Sequence, residues 1–280
     1  MFFSSSEAKP IRVTSNGNAS LFNGVPDWVY EEEIFSADFA LWWSPDAKQV
    51  AYLSFDETAV PEFTFPIYNP TDNSSEVVPY TSEVVMKYPK PGYPNPLVTV
   101  HVFDADGYST NHGDVADYIL TLNWEGRHAA DDSVILEVAW VGNGSLIVKE
   151  VNRNADDGRV VLFDIDTSNR VAQAEGKVVR RLGEDGEEGD DGWIDNVGPK
   201  ILSEWFAHCG FQEQTIFPIS ASISAFAGTN AYLDIVPTPE GYNHIALFSP
   251  ASSGTPRFLT SGKWEVTGGI KGVDAKRGLV

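Results

Sequence analysis

Cysteine, positive charge and long apolar runs are all scarce in this sequence. Cys209 is the only cysteine among 280 residues, so an internal disulfide is excluded. The 19 Lys and Arg are outnumbered by 40 Asp and Glu, which gives a net charge of −21. A surface this negative repels phosphate backbones, so we expect no nucleic-acid partner. No apolar run reaches the roughly 18 residues that a membrane-spanning helix needs.

Motifs of a self-contained hydrolase or a metal enzyme are missing as well. Gly107-Tyr-Ser-Thr-Asn comes nearest to the Gly-x-Ser-x-Gly elbow of α/β-hydrolases, but it ends in Asn111, and we interpret it as a turn that no helix follows. One cysteine and scattered histidines do not form a zinc site. The histidines, none of them paired with a nucleophile, are His101, His112, His128, His208 and His244. We therefore predict no catalytic residue, metal ligand or cofactor in this chain.

Aromatic residues, in contrast, are abundant. The 16 Phe, 10 Tyr and 8 Trp favour strands over helices. The predicted strands are Leu97–Phe103, Ala116–Trp124, Val134–Val141, Ser145–Val151, Arg159–Ile165, Tyr232–Val236, His244–Phe248 and Arg257–Leu259. Short strands with Gly, Asn and Asp turns between them predict a sandwich, a barrel or a propeller.

A faint internal repeat favours the propeller among these three folds. Trp43-Ser-Pro-Asp-Ala-Lys-Gln-Val-Ala-Tyr resembles Trp140-Val-Gly-Asn-Gly-Ser-Leu-Ile-Val, and each segment is typical of a strand, a turn and a second strand. The two copies are about two blades apart, at roughly 40–50 residues per blade.

One segment, Asp27–Phe35, predicts a helix within the β pattern. Asp27 is a good N-cap, and acidic residues follow in the first turn, where the helix dipole favours them. Glu31, Glu32 and Glu33 stand between apolar residues, where like charges repel one another and desolvation is unfavourable. A solvated helix start would explain an arbitrary Glu triplet, whereas this context favours a bound cation. Adjacent helical residues diverge by about 100°, so two glutamates can converge on one ammonium group.

At these residues the sequence resembles the dipeptidyl peptidase IV family. Asp27-Trp-Val-Tyr-Glu-Glu-Glu-Ile-Phe-Ser, followed by Ala40-Leu-Trp-Trp-Ser-Pro-Asp, is similar to the most distinctive propeller motif of that family. Further similar segments follow in the family's order: Glu57-Thr-Ala-Val-Pro, Tyr88-Pro-Lys-Pro-Gly-Tyr-Pro-Asn-Pro, Gly192-Trp, Glu240-Gly-Tyr-Asn-His and Thr260-Ser-Gly-Lys-Trp-Glu-Val. The resemblance covers nearly the whole chain from about Pro10 onward.

The resemblance implies an all-β fold, namely a partial β-propeller of several four-stranded blades with a short helix that carries the Glu motif. In the family, an eight-bladed propeller caps an α/β-hydrolase domain, and these serine peptidases release N-terminal dipeptides with Pro or Ala in second position. Glu32 and Glu33 match the pair that binds the α-ammonium group of the substrate. The resemblance therefore implies a substrate-recognition role for these two residues.

Residues 1–280 also depart from the family pattern. The first blades, the Arg that the family places beside the Glu pair, and the hydrolase domain with its Ser, Asp and His have no counterpart in them. We expect residues 1–280 to be an incomplete N-terminal propeller domain that has no peptidase activity by itself. The implied partners are a peptide N-terminus, the hydrolase domain of the full-length protein and, in a homodimer, a second copy.

The resemblance is strongest to fungal membrane-anchored forms, which implies the secretory pathway. We expect a vacuolar membrane or secreted location, with an anchor upstream of Met1. Asn18, Asn73 and Asn143 begin glycosylation triplets, which fits a glycoprotein.

Two rival functions remain at this point. A non-catalytic binding module would use the Glu cluster to hold a basic peptide or an amine without turnover. A glycosidase would need two carboxyl groups roughly 5–9.5 Å apart on either side of a bond, which adjacent glutamates supply poorly. A separate question concerns Val197–Gln212, which breaks both the β pattern and the family match, and which either a retained intron or a surface loop would explain.

Overall fold

The computed structural model describes residues 10–73, 75–165, 172–183, 194, 217–219 and 230–270, with the backbone alone for 217–219. Strands dominate these residues and form three four-stranded antiparallel blades of a β-propeller. The predicted all-β propeller fold is thus confirmed. Val197–Gln212 lies outside the described residues. No helix among the described residues is long and apolar enough to cross a membrane.

The first blade contains the predicted helix and a protruding hairpin. Its elements in chain order are β1 (Leu21–Asn23), a π-helix (Tyr30–Phe35), β2 (Leu41–Trp43), β3 (Gln49–Asp56), β4 (Glu62–Ile67), β5 (Ser82–Lys87), β6 (Leu97–Asp104), α1 (Ala105–Asn111), a 3₁₀-helix (Val115–Tyr118) and β7 (Ile119–Trp124). The blade order is β2-β3-β6-β7, and β1 pairs with the end of β3. Strands β4 and β5 pair only with each other, as a two-stranded sheet.

The other two blades repeat this meander more simply. The second blade consists of β8 (Ser133–Gly142), β9 (Ser145–Asn152), β10 (Asp157–Asp164) and β11 (Gln173–Gly183). The third consists of β12 (Phe217–Ile219), β13 (Ala231–Pro237), β14 (Asn243–Phe248) and β15 (Arg257–Phe258). Strand β8 contacts β2 on one side and β12 on the other, so the first strands of the blades are neighbours.

The predicted repeat corresponds to the first hairpins of two adjacent blades. The predicted separation of two blades was wrong, because the β4–β5 hairpin and α1 lengthen the first blade. Trp43 ends β2 and is followed by a turn and β3, whereas Trp140 lies near the end of β8 and is followed by a turn and β9. The indole N–H of Trp140 donates to the carbonyl oxygen of Trp42 at 2.9 Å, which joins the two repeats directly.

Strand β11 joins the first two blades into one nine-stranded sheet. Its first residues, Gln173–Gly176, pair in parallel with β7, and its later residues pair antiparallel with β10. The change of partner occurs at Gly176, where a Cβ atom would lie 2.6 Å from the ring of Phe163. Real Cβ contacts are not this short, so the close packing of β11 against the side chains of β10 requires glycine here.

The second blade is buried on both faces. Val148 and Phe163 pack in the core shared with the first blade, whereas Ile147 and Leu162 pack in the core shared with the third. Successive strand residues point to opposite faces, so continuous apolar runs fill both cores.

Two adjacent charged residues of β9 follow the same alternation. Glu150 is fully buried on one face, where it accepts hydrogen bonds from the Trp124 indole at 2.8 Å and the Ser133 hydroxyl at 2.6 Å. Lys149 lies on the other face, 3.4 Å from both Glu137 and Asp234. Strand β9 therefore carries polar contacts toward each neighbouring blade.

Asp234 of the third blade is the centre of the buried ion pairs. Arg180 of β11 donates to it at 2.7 Å, and the Arg180 guanidinium lies 4.1 Å from the centre of the Phe248 ring. Burial acts most strongly on Asp234 and opposes its charge, but Lys149 and Arg180 outweigh that effect and lower its pKa. These ion pairs join the second blade to the third.

We predict that Asp234→Asn strongly destabilises the protein, because it removes the buried negative charge that Arg180 and Lys149 share. Breaking such a pair typically costs about 3–5 kcal/mol of unfolding free energy. The matched control is Asp106→Asn, whose pair with Lys48 at 3.7 Å is more than half exposed and should be worth less than about 1 kcal/mol. Urea unfolding followed by fluorescence measures both, and equal effects of the two changes would contradict the prediction.

Candidate functional site

The helical segment begins directly after Asp27, at residues 28 and 29, and the side chain of Asp27 caps this first turn as expected. One carboxylate oxygen of Asp27 accepts the backbone N–H of Tyr30 at 3.1 Å, and the other accepts that of Val29 at 3.3 Å. Its backbone carbonyl accepts the N–H of Glu31 at 2.8 Å. Asp27 is itself only 3% exposed, so the start of the helix is held from within the protein.

The helix is a π-helix from Tyr30 to Phe35, a geometry that the sequence did not predict. Hydrogen bonds from residue i to i+5 place residues five apart near one side, whereas in an α-helix they differ by about 140°. Tyr30 and Phe35 are five apart, and both are buried in the core. The π geometry thus allows two aromatic anchors while the three glutamates between them face outward.

Aromatic contacts and one hydrogen bond fix these anchors. The Tyr30 ring lies 5.4 Å from Phe35 and 5.0 Å from Phe55, and Phe35 lies 5.6 Å from Trp42. The Tyr30 hydroxyl oxygen accepts the backbone N–H of Ile135 at 3.0 Å. Because Ile135 lies on β8, at the edge of the second blade, this bond ties the helix of one blade to the next. Burial raises the pKa of Tyr30 far above its usual value, so the phenol is neutral.

Glu31, Glu32 and Glu33 all lie between the anchors and are exposed. Within the part of the chain that the structure describes, no lysine, arginine or histidine forms an ion pair with any of them. Three carboxylates are therefore held on a short, rigidly anchored helix and are available to an external cation. The pairing of Glu32 and Glu33 toward one ligand and their direction toward a central cavity stay predictions.

A second buried acid, Glu57, lies close to the start of the helix. It is 4% exposed and belongs to the turn after β3. Burial and the nearby Asp27 raise its pKa to about 7, although Lys87 opposes them. In the sequence, Glu57 stands out only as part of the segment Glu57-Thr-Ala-Val-Pro, to which no site role was assigned. No neighbouring residue in the sequence indicates that this carboxyl is buried.

The interpretation of Gly107-Tyr-Ser-Thr-Asn as a turn was wrong. These residues belong to α1, and Asp104 caps that helix by accepting the N–H of Gly107 at 2.9 Å. The Ser109 hydroxyl donates to the Asp106 carbonyl oxygen at 3.0 Å. The capping aspartate before a short polar run was the signal that indicated a helix.

The described histidines show local structural contacts. His244 is completely buried between the Thr260 hydroxyl and the Gly262 carbonyl oxygen, at 3.0 and 3.1 Å. His101 lies between two threonine hydroxyls, and burial lowers its pKa to about 4. His208 lies outside the described residues.

Comparison with known proteins agrees with this fold. A family model described as the dipeptidyl peptidase IV (DPP IV) N-terminal region matches residues 2–280. The chain belongs to this family. It therefore represents the N-terminal region of a dipeptidyl peptidase, as the Glu-motif resemblance implied.

Relatives from fungi cover almost the whole chain. A protein of Uncinocarpus reesii named “Probable dipeptidyl-aminopeptidase B” is 38% identical over 282 residues, which is 99% of this chain and 27% of the relative. A protein of the same name from Neosartorya fischeri is 38% identical over 272 residues, 96% of this chain and 26% of the relative. The chain thus spans about a quarter of the length of these relatives.

A solved structure shares the fold. The crystal structure of Porphyromonas gingivalis dipeptidyl peptidase 4 is similar with a TM-score of 0.63 and 23% identity, over 92% of this chain and 29% of that one. At this identity the likeness supports the propeller architecture alone.

We predict that Tyr30→Phe loosens the Glu-bearing helix, because the buried N–H of Ile135 loses its acceptor. An unsatisfied buried donor costs about 1–3 kcal/mol. Amide hydrogen exchange should therefore speed up at residues 28–35, and urea unfolding should report the lost stability. Tyr80→Phe removes a hydroxyl from a side chain that is 83% exposed, and it should change stability by less than about 0.5 kcal/mol. Unchanged exchange at the helix in Tyr30→Phe would show that this hydrogen bond does not hold it.

Proposed function

We propose that this chain is the substrate-recognition propeller of a serine-type dipeptidyl peptidase that removes X-Pro or X-Ala dipeptides from peptide N-termini. In this proposal Glu32 and Glu33 bind the α-ammonium group of the substrate. The observation that supports it most is the exposed glutamate triplet on a π-helix whose two ends are anchored in the core. π-Helices are rare and occur frequently at functional sites.

The chemistry of an α-ammonium group suits this arrangement. A peptide amine has a pKa of about 7.7–8.0, so much of it is charged at neutral pH. Its three N–H donors need acceptors, and carboxylates form the strongest hydrogen bonds of this kind. Since no described cation is paired with the glutamates, an ammonium group would not have to displace a partner from that part of the chain.

Fixing the amine would also explain dipeptide release. If the amine is held at one point and the nucleophile at another, only one peptide bond lies within reach of attack. In the proposal, bond cleavage belongs to a Ser, Asp and His of an α/β-hydrolase domain in the full-length protein. The propeller then contributes position and specificity, and its glutamates take no part in proton transfer.

A non-catalytic module that binds amines or basic peptides is the second candidate. The same exposed glutamates support it, because they would bind an ammonium group whether or not cleavage follows. The two functions differ in turnover, so release of a chromophore from a Gly-Pro amide by the full-length protein separates them.

We predict that Glu32→Gln and Glu33→Gln each weaken binding of Gly-Pro amide to this chain, as measured by titration calorimetry. Removing one charged partner typically costs about 2–5 kcal/mol, or roughly 30-fold to several thousand-fold in affinity. In the full-length enzyme the same factor should appear in kcat/KM.

Glu31→Gln is the matched control, because it removes an equal charge from the same helix. It should weaken binding much less than either neighbouring change. N-acetylated Gly-Pro amide, which has no ammonium group, should bind wild type and variants equally weakly. The assignment is wrong if Glu31→Gln is the most damaging change or if the acetylated ligand binds as tightly as the free one.

The hairpin of β4 and β5 is the surface that we propose for a homodimer. Phe63, Phe65 and Ile67 alternate along one face of β4 and are each 37–39% exposed. A two-stranded sheet is marginally stable alone, so burial of this apolar face against another protein surface would stabilise the hairpin. The hairpin region carries both signs of charge, at Glu83 and Lys90, so a two-fold axis can bring opposite charges of two copies together.

We predict that Phe65→Ser shifts the protein toward monomer in sedimentation velocity experiments, because it removes an apolar group from the centre of this face. Tyr93→Ser, an equally drastic change of a side chain that is 54% exposed, is the control and should leave the dimer intact. A wild-type protein that is monomeric at all concentrations would refute the proposed homodimer.

A further inference from the structure

The turn between β3 and β4 holds Glu57 in a buried position. The backbone N–H of Glu57 donates to the Ser20 carbonyl oxygen at 2.7 Å, and its own carbonyl oxygen accepts the N–H of Val60 at 2.9 Å. These bonds fix the backbone on both sides of the residue. The residue is only 4% exposed, so the turn holds its carboxyl largely away from bulk water.

The end of β5 packs against this turn, and the start of the π-helix packs against the end of β5, which brings one charged group from each near Glu57. Asp27 comes from the start of the π-helix, and Lys87 comes from the end of β5, where its ammonium donates to the Val60 carbonyl oxygen at 2.9 Å. The neighbours of these two residues touch as well, since the rings of Trp28 and Tyr88 lie 4.5 Å apart. The helix start, the turn and the end of the hairpin thus form one packed unit.

Among the described residues, Lys87 is the one cation that acts on the two buried carboxyls. The charged groups that act on Glu57 are Asp27 and Lys87, and Asp27 in turn faces Glu31 and the neutral Tyr30. Burial raises the pKa of Asp27, whereas its capping hydrogen bonds from Tyr30 and Val29 lower it. Those bonds are strongest when Asp27 is ionised, so a second negative charge beside it weakens the cap.

We infer that Glu57 is a positioning residue for the ammonium site. When Glu57 is neutral, it leaves Asp27 free to cap the helix that carries Glu32 and Glu33. When Glu57 is ionised, it repels Asp27 and loosens that helix. This inference rests on the proposed function for its effect on ligand binding. Its effect on the helix does not depend on any ligand.

The direction of the pH effect follows from the raised pKa of Glu57. Burial, the largest cause, raises it to about 7 from a usual value of 4.5, with Asp27 adding and Lys87 opposing. The native state therefore holds this proton more tightly than the unfolded chain does. The associated stability is fully present below pH 4.5 and is lost as pH rises through about 7. Helix order and amine affinity should decline over the same upper range.

The test compares wild type with Glu57→Gln, which keeps the neutral form at every pH. Both proteins are titrated with Gly-Pro amide, and the ratio of their Kd values cancels the ionisation of the ligand itself. Between about pH 6 and pH 8 the wild type should lose at least about fivefold in affinity relative to the variant, the lower end of typical coupling between sites. Glu125→Gln is the control, since Glu125 also directly follows a strand but is exposed, and its ratio to wild type should not change with pH.

Lys87→Met provides a second variant in case Glu57→Gln does not fold. Without the ammonium group the Glu57 carboxylate loses its stabilising cation, so the pH at which affinity declines should move upward. A merely structural role of the turn would lower stability in both variants but would not shift this midpoint.

Amide hydrogen exchange at residues 28–35 separates this inference from the proposed function. Faster exchange in wild type than in Glu57→Gln near pH 8, with equal exchange near pH 6, supports the positioning role whether or not a dipeptide binds. Absence of dipeptide binding would overturn the proposed function instead. Tight dipeptide binding with no pH-dependent difference between wild type and Glu57→Gln, in affinity or in exchange, overturns the positioning role and leaves the ammonium site standing.

Discussion

The hydrogen bond between the Tyr30 phenol and the backbone of Ile135 is the contact on which the site depends. It joins a residue of the helix to the open edge of the second blade, at 3.0 Å and within the core. With Phe35 buried at the other end, the helix is fixed at two points five residues apart. Because the helix is attached to the core at these two points, the glutamates between them stay exposed to solvent. A helix packed against the core along its whole length would bury some of them.

The alternation of side chains along a strand also connects the blades. Adjacent side chains of β9 point to opposite faces, so Glu150 contacts the first blade and Lys149 reaches Asp234 of the third. A buried charge is tolerated only where it is paired or hydrogen bonded. Displacing the third blade would separate Asp234 from Arg180 and Lys149. These ion pairs therefore hold the second and third blades in one relative position, in addition to apolar packing. That rigidity in turn supports the Tyr30 anchor, whose partner lies on the middle blade.

The sequence could predict those features that local patterns encode. Asp27 as a cap, a helix over the glutamates and the strand–turn–strand repeat at Trp43 and Trp140 all rest on residue type and spacing. The π geometry could not be predicted, because Ile135, whose N–H donates to the Tyr30 hydroxyl oxygen, is more than a hundred residues away in the sequence. The burial of Glu57 could not be predicted for the same reason. A lone acid after a strand is usually solvated, whereas this one is buried where the chain packs near the helix start.

A crystal structure of the protein with a bound X-Pro dipeptide tests the central claim most directly. The account predicts that the α-ammonium nitrogen lies within about 2.7–3.2 Å of carboxylate oxygens of both Glu32 and Glu33. It also predicts that Tyr30 and Phe35 stay in the positions described for the free protein, because the site is anchored before the ligand arrives. A dipeptide whose ammonium group lies elsewhere, with both glutamates still exposed to solvent, would contradict the account.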